Sequence, residues 1–190
     1  PGHAIQAREL TQLQSTLQNQ ISSQADHMFK DGAVVIPGEL NVHNRIDYIK
    51  VTTTVTTLSD FLGKEINDGT NYAKVLHVEA AVSTDPVTLF VKYVSGSSKC
   101  VADATLTGTG LSATVQATAE TPIGIGSLVS IGEGIYYIKK NFVIVKDQTL
   151  VLEKYSADVS ADIGFNVSET LVSDSTDNSL VDNAAGTPNV

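Results

Sequence analysis

Histidine and cysteine are the side chains in this sequence most able to do metal or nucleophilic chemistry. The histidines are His3, His27, His43 and His77, with no i, i+4 pair and no HExxH-type spacing, so no helix face collects them. Cys100 lies in SSKCVADA, where nothing signals the histidine partner and oxyanion site that a nucleophilic thiol needs. We therefore predict no metal ligand, no catalytic residue and a buried, inert Cys100.

Two glycine-rich runs have the composition of phosphate-binding loops but lack the flanking strand and helix of such loops. GTGLS (108–112) and TPIGIGSLVSIGEG (121–134) are followed by strand-like residues, whereas a dinucleotide-binding fingerprint needs a strand before it and a helix after it. NDGTN (67–71) and STDNS (175–179) lack the glutamate that completes an EF-hand loop. These segments are typical of turns, and we predict no cofactor.

Acidic residues in the second half of the chain are the remaining candidates for catalysis. Glu133, Glu153, Asp158 and Asp162 could face one another as the two acids of a glycosidase do. Sites that cleave glycans usually add aromatic platforms, and this chain has no tryptophan. We predict that the protein is not an enzyme.

Composition favours a β-rich protein without a nucleic-acid or membrane partner. Hydrophobic residues make up 42% of the 190 positions and charged residues 17%, and β-branched residues suit a pleated sheet. The net charge is −9 and no basic run occurs, which argues against nucleic-acid binding. No apolar stretch approaches the roughly 18 residues of a membrane helix. One cysteine excludes an intrachain disulfide.

Residues 4–30 carry a helical period. Apolar side chains recur every three to five positions, at Ile5, Leu10, Leu13, Leu17, Ile21, Ala25 and Met28. At ~1.5 Å per residue the predicted helix is about 40 Å long. Gly32 is placed to end it with a left-handed cap.

The apolar stripe of this helix needs a partner, because a mostly polar helix of this length is only marginally stable alone. The stripe either packs on the β-domain of its own chain or joins copies of the chain in a parallel bundle, most plausibly a trimer. Polar gaps at Gln20 and Gln24 suit a bundle, since polar core positions set register. The predicted oligomer interface is formed by Leu10, Leu13, Leu17, Ile21 and Met28.

From Ala33 onward the period changes to two, and short strands alternate with turns. The fold class that we predict is mainly β with one long N-terminal α-helix, in which a small barrel-like β unit is followed by an antiparallel meander. The predicted meander strands are 128–131, 135–138, 142–145 and 149–152, and a further strand is expected at about 162–171.

The predicted organisation has five parts, which are an oligomerisation or anchoring helix (1–32), connecting strands (33–50), a small β-barrel-like insert (51–119), an antiparallel β-meander domain (120–172) and an acidic linker (173–190). Beyond Lys154 the sequence contains no lysine or arginine, and this composition favours a solvated segment. We expect both ends to be cut edges of a longer polypeptide, with a further domain after Val190.

Two segments resemble a known family. GHAIQARELTQLQSTLQNQISSQADHMFKDGAVV (2–35) resembles the N-terminal module of a family of tailed-bacteriophage virion proteins, the tail fibre and baseplate-associated structural proteins. GSLVSIGEGIYYIKKNFVIVKDQTLVLEKYS (126–156) is similar to the meander of that family, and DNAAGTPNV (182–190) is similar to the run that leads into its next domain. The resemblance covers most of the chain, while 51–119 matches only as a glycine-punctuated barrel insert.

The resemblance implies a structural role in a virion. The chain would be the N-terminal part of a tail fibre or baseplate-associated protein, anchored to other tail proteins and supporting distal host-recognition domains. The threefold symmetry of fibres implies a homotrimer. A receptor- or glycan-binding β module of a tail fibre is the first alternative function, and a non-catalytic domain of a cell-wall-degrading tail enzyme is the second.

Overall fold

The computed structural model describes residues 7–96, 98–173 and 175–180. It confirms a mainly β chain with one N-terminal helix, α1 (Ala7–Met28). The strands are β1 (Ala33–Ile36), β2 (Leu40–Thr53), β3 (Glu65–Asn67), β4 (Tyr72–Glu79), β5 (Val87–Ser95), β6 (Thr105–Gly108), β7 (Leu111–Val115), β8 (Ile123–Ile131), β9 (Gly134–Ile138), β10 (Asn141–Val145) and β11 (Gln148–Glu153). Short 3-10 turns lie at Leu58–Phe61, Thr118–Glu120 and Asn178–Leu180.

A barrel-like unit is formed by six strands, as the sequence predicted. β2 pairs with β5 on one side and with β7 on the other, and the order β2-β5-β4-β3-β6-β7 makes a partial ring. The ring is weakest between β3 and β6, which share one residue pair, Asn67 with Thr107. β2 is continuous across position 50, so the boundary expected between connecting strands and insert falls inside a strand.

The barrel has its own core. Inward-facing residues alternate along β7, where Leu111, Ala113 and Val115 are buried and the residues between them are exposed. The other strands of the ring and the 3-10 turn Leu58–Phe61 contribute further core side chains, among them Ile49, Phe61, Ile66, Val75, Leu89, Val91 and Leu106. Each fully buried aliphatic side chain contributes about 1.5–3 kcal/mol, so this unit stabilises the body of the protein.

The four predicted meander strands correspond to β8–β11, with β8 beginning five residues earlier than predicted, but their pairing differs from a meander. β9 pairs with β10, as expected, whereas β8 pairs with β11 and β2 rather than with β9. β8 and β9 are therefore successive parts of one long strand, and β10 and β11 are parts of the returning strand. The break at Gly132-Glu133 is a kink and not a hairpin turn.

β1, β9 and β10 form a three-stranded antiparallel sheet, which we call the arm sheet. It continues into β2, β8 and β11 in the same order. The kink between the two halves is tight at Gly38, where an added Cβ would lie 2.1 Å from the carbonyl oxygen of Gly132. Only a residue without a side chain fits this crossing.

The chain divides into two compact units, Pro1–Val159 and Ser160–Val190. Within the described part of the second unit the strand expected at 162–171 is absent, and the regular element there is the 3-10 turn Asn178–Leu180. Alternating apolar residues predict a strand, but a strand forms only where a pairing partner is present. Residues 181–190 and the predicted helix residues 4–6 lie outside the described residues.

The helix is also shorter than expected at its C-terminal end, which is Met28. Gly32 has a left-handed φ of +82°, as expected for a glycine at this position. It lies in the turn that leads into β1, however, and does not cap the helix. Within the described residues no helix combines the length and hydrophobicity that crossing a bilayer requires.

Candidate functional site

The predicted interface residues form an uncovered stripe along α1. Leu10, Leu13, Leu17, Ile21 and Met28, which we call the apolar stripe, are each between 49% and 66% exposed. An isolated exposed leucine needs no explanation, but five along one side of a helix form a contiguous apolar surface. The structure therefore does not place this stripe on the β-domain of its own chain.

The last turns of α1 are held to the arm sheet by a different side of the helix. The hydroxyl oxygen of Tyr137 lies 2.7 Å from Oδ1 of Asp26 and 3.3 Å from the carbonyl oxygen of Ser22. The shorter contact is to the carboxylate, which accepts a hydrogen bond from the phenol. Nζ of Lys140 lies 3.6 Å from Oδ2 of Asp26, and Ala25, which precedes Asp26 in the chain, is buried.

Three aromatic rings complete this attachment. The ring centroid of Phe29 lies 5.8 Å from that of Tyr137 and 5.7 Å from that of Phe142, and Tyr137 and Phe142 are 5.3 Å apart. Such tilted and edge-on pairs contribute about 0.5–1.5 kcal/mol beyond the area they bury. We call Ser22, Ala25, Asp26 and Phe29 with Tyr137, Lys140 and Phe142 the helix anchor.

The helix anchor and the apolar stripe lie on separate sides of α1. At 3.6 residues per turn the stripe covers a sector of about 80°, and its centre is about 120° away from that of Ser22, Ala25 and Asp26. The anchor therefore fixes the direction of the helix without covering the stripe.

Electrostatics at the anchor follow from its burial. Tyr137 is 1% exposed and lies on β9, the central strand of the arm sheet. Burial, and next the hydrogen bond to the Asp26 carboxylate, raise the pKa of Tyr137 to about 12. The phenol therefore stays protonated over the physiological range and keeps its hydrogen bond to Asp26.

The arm sheet is apolar in composition, yet most of its side chains are not buried by the rest of the chain. Its strands AVVI, GIYYI and NFVIV contain no charged residue, yet within them only Gly134 and Tyr137 are buried. Register aligns Val34, Tyr136 and Val143 on one face. Side chains of both faces are exposed, including Val34, Ile36, Phe142, Val143 and Ile144. Because glycine has no side chain to pack, Tyr137 is the single buried side chain of these three strands, and such a sheet has almost no core of its own.

The histidines among the described residues are not brought together. His27 lies on α1, His43 on β2 and His77 on β4, where its Nε2 is 3.0 Å from Glu79; His3 lies outside the described residues. Among residues 7–96, 98–173 and 175–180 no three histidine, cysteine or acidic side chains lie close enough to hold a metal ion.

Cys100 is buried in the barrel core, which confirms the expected burial. Its backbone N–H donates to the hydroxyl of Tyr93 at 3.1 Å. Burial raises the pKa of the Cys100 thiol to about 11, so that little nucleophilic thiolate exists at neutral pH.

Glu133 and Glu153, two of the four acidic candidates, are also separated. Glu153 pairs with Ser127 at one end of the β8–β11 ladder, whereas Glu133 lies at the kink beyond the other end. Six residues of strand correspond to roughly 20 Å, well beyond the spacing of about 5–9.5 Å that glycosidase acids need. This pair therefore does not form such a site.

Sequence reasoning missed a polar cluster around Tyr155. Its hydroxyl contacts the Asp85 carboxylate and lies 3.1 Å from Oγ1 of Thr88, while Nζ of Lys154 is 3.1 Å from Asp85. The Tyr155 ring lies 4.8 Å from that of Tyr48. Burial, and next the bond to Asp85, raise the pKa of Tyr155 to about 12. The polar groups of Tyr155, Asp85 and Lys154 each have a partner within the cluster, which joins the end of β11 to the barrel.

No family model, curated protein or solved structure matches the chain.

Proposed function

We propose that this chain is a structural, non-catalytic component of a bacteriophage tail, the N-terminal part of a fibre or baseplate-associated protein, and that it assembles as a homotrimer in the virion through α1. The sequence resemblance supports the class of particle. One structural observation supports assembly: α1 is held to the arm sheet by one side and exposes its apolar stripe on another.

The exposed stripe is large enough to drive association. Burying a large aliphatic side chain contributes about 1.5–3 kcal/mol, and five side chains that are roughly half exposed give on the order of 5 kcal/mol per chain. In a trimer three chains contribute equally. The same contact stabilises a 22-residue helix that is marginal alone.

The spacing of the stripe fits a nearly straight bundle. Leu10, Leu13, Leu17 and Ile21 follow steps of three, four and four residues, and two further steps of three and four reach Gln24 and Met28. An 11-residue repeat corresponds to about 3.67 residues per turn, close to an unstrained helix and slightly right-handed. Gln24 supplies a polar layer of the kind that fixes register.

The helix anchor gives the bundle a direction. Because each α1 is attached to its own arm sheet at the C-terminal end, parallel helices bring the three bodies to the same end of the bundle. The N-terminal ends then point away from the bodies. This arrangement suits an anchoring segment that joins neighbouring tail proteins and leaves the body to support distal domains.

A receptor- or glycan-binding role has less support in the described residues. Tyr48 and Tyr137 are buried, Tyr155 is held by Asp85, and Tyr72 is only about one-third exposed on β4. Among the described residues these tyrosines therefore do not gather on exposed loops as a sugar platform requires.

The position of the protein in a particle tests the proposal. Antibody raised against the purified chain and detected by immunogold electron microscopy should label purified tailed virions at the tail, and mass spectrometry should find its peptides in the same particles. Antibody preadsorbed with the purified chain is the control. Particles that carry no such peptides, or label on the capsid alone, would contradict the proposed role.

A further inference from the structure

The arm sheet carries a second uncovered apolar patch on the same face as the helix anchor. Register places Ile36 of β1, Ile135 of β9 and Ile144 of β10 side by side across the three strands. Ile36 is 53% exposed, Ile135 is half-buried and Ile144 is 63% exposed. We call these three residues the isoleucine row.

The isoleucine row belongs to the face that α1 contacts. Side chains alternate along a strand, so Ile135 shares a face with Tyr137, and Ile144 shares one with Phe142. Tyr137 and Phe142 pack against Phe29 at the end of α1. The helix thus covers one part of this face, and the isoleucine row remains open next to it.

We propose that the isoleucine row is a contact between copies of this chain, in which the isoleucine rows of the three arm sheets meet around the threefold axis next to the α1 bundle. This goes beyond the proposed role in a tail and shares with it only the association of copies. It assigns the occupant of the patch as a second copy of the same chain.

Charge favours this patch as the place where copies meet. The chain carries a net charge of −9, so that copies repel one another over most of their surface. The three arm strands contain no acidic or basic residue. Two arm sheets can therefore approach without burying an unpaired charge, which is the costly event in an interface.

The available area also fits. On the sides proposed to meet, the apolar stripe and the arm sheet expose apolar side chains that are each about half accessible: Leu10, Leu13, Leu17, Ile21, Met28, Ile36, Phe142 and Ile144. With roughly 100 Å² for each fully exposed side chain, they offer on the order of 400 Å² of apolar surface per chain. A standard interface buries about 800 Å² per partner, somewhat more than half of it apolar. The stripe alone offers about half of that apolar area.

Lysine substitutions on the full chain test the proposal, read by sedimentation equilibrium. Ile144→Lys should weaken association by about tenfold or more, because a charge would enter the contact. Val94→Lys is the matched control, since Val94 is 61% exposed at the end of β5, and it should leave association unchanged. Val143→Lys places the same charge on the opposite face of β10 and should have the smaller effect.

Several results would overturn the proposal. These are wild-type association of Ile144→Lys, equal loss in Val94→Lys, or a larger loss in Val143→Lys than in Ile144→Lys. The test is separable from the α1 proposal through the double variant Leu13→Asp/Leu17→Asp. If that variant stays assembled while Ile144→Lys dissociates, the contact at the isoleucine row is supported and the α1 bundle is contradicted. If that variant dissociates while Ile144→Lys stays assembled, only the α1 bundle is supported.

A measurement on the unchanged protein avoids any effect of the substitutions on folding. Hydroxyl-radical footprinting at high and low protein concentration should show several-fold protection of residues 141–145 at the concentration where copies associate. Residues 93–95 serve as the internal reference. Equal oxidation of 141–145 at both concentrations would overturn the proposal.

Discussion

The hydroxyl of Tyr137 and the carboxylate of Asp26, 2.7 Å apart, join the centre of the arm sheet to the last turns of α1. This bond lies on the opposite flank of the helix from Leu13, Leu17 and the rest of the apolar stripe. The helix is therefore fixed in direction while its apolar side stays open. The interpretation of the protein as an assembly component depends on this separation of the two sides.

Removal of the Tyr137 hydroxyl should loosen the helix and spare the barrel. We expect Tyr137→Phe to raise hydrogen exchange several-fold in residues 22–29, because the ring still packs but the bond to Asp26 is lost. Exchange in the barrel strands should not change, and Tyr72→Phe is the matched control. Unchanged exchange at 22–29 would show that the aromatic contacts alone hold the helix.

Stability at acidic pH should depend on Asp85. Burial raises its pKa, but hydrogen bonds from Tyr155 and Lys154 outweigh burial and lower the pKa below the usual 3.8. A lowered pKa in the folded state means that the ionised form stabilises the fold above about pH 4, and that this stability is lost as the pH falls below 3.8.

We therefore expect Asp85→Asn to lower the unfolding temperature at neutral pH, with the difference from wild type shrinking as the pH falls from about 5 to 2.5. Thermal unfolding followed by circular dichroism measures this, with the exposed Asp60→Asn as the control. A difference that stays constant with pH would mean that the Asp85 charge does not stabilise the fold.

Substitution of Gly38 should disrupt the kink between the arm sheet and the rest of the body. In Gly38→Ala the new Cβ would meet the backbone carbonyl of Gly132 at 2.1 Å, and backbone cannot move aside as a side chain can. We expect a loss of at least about 1–3 kcal/mol of unfolding free energy. Gly164→Ala, whose Cβ would meet nothing within 4 Å, should be nearly neutral in the same denaturant titration.

Filling the polar layer of the stripe should stabilise the assembly. Gln24→Leu adds an apolar side chain in line with Ile21 and Met28, and we expect roughly 1–2 kcal/mol per chain if the position is buried between helices. The unfolding temperature should rise and should depend on protein concentration. Ser15→Leu, on the far side of α1, is the control. An equal effect of both substitutions would argue against a bundle centred on the stripe.

Local patterns predicted the elements well. The spacing of Leu10, Leu13, Leu17 and Ile21 gave α1, and alternation with turn residues placed the strands that follow. The two-residue turn Lys139-Lys140, with φ of +47° and +68°, joins β9 to β10 as a hairpin. The buried position of Cys100 also followed from its sequence context.

Pairing could not be predicted in the same way. Gly132-Glu133-Gly134 has the composition of a hairpin turn, but the chain continues through it because β1 and β2 break at the same level, at Pro37-Gly38. A glycine pair fits a turn or a kink, and a distant strand decides between them. The same limit applies to 162–171, where the alternation lacks a partner strand, and to Tyr155 and Asp85, which are 70 residues apart in sequence.

The mass of the assembled protein tests the central claim most directly. Sedimentation equilibrium of the full chain should give three times the chain mass of 20.1 kDa. The double variant Leu13→Asp/Leu17→Asp should dissociate, because it places two charges in the stripe. The matched variant Ser15→Asp/Asn19→Asp, with the same charges on the far side of α1, should keep the wild-type mass. A wild-type chain that sediments as a monomer, or a Leu13→Asp/Leu17→Asp variant with the wild-type mass, would contradict assembly through the apolar stripe.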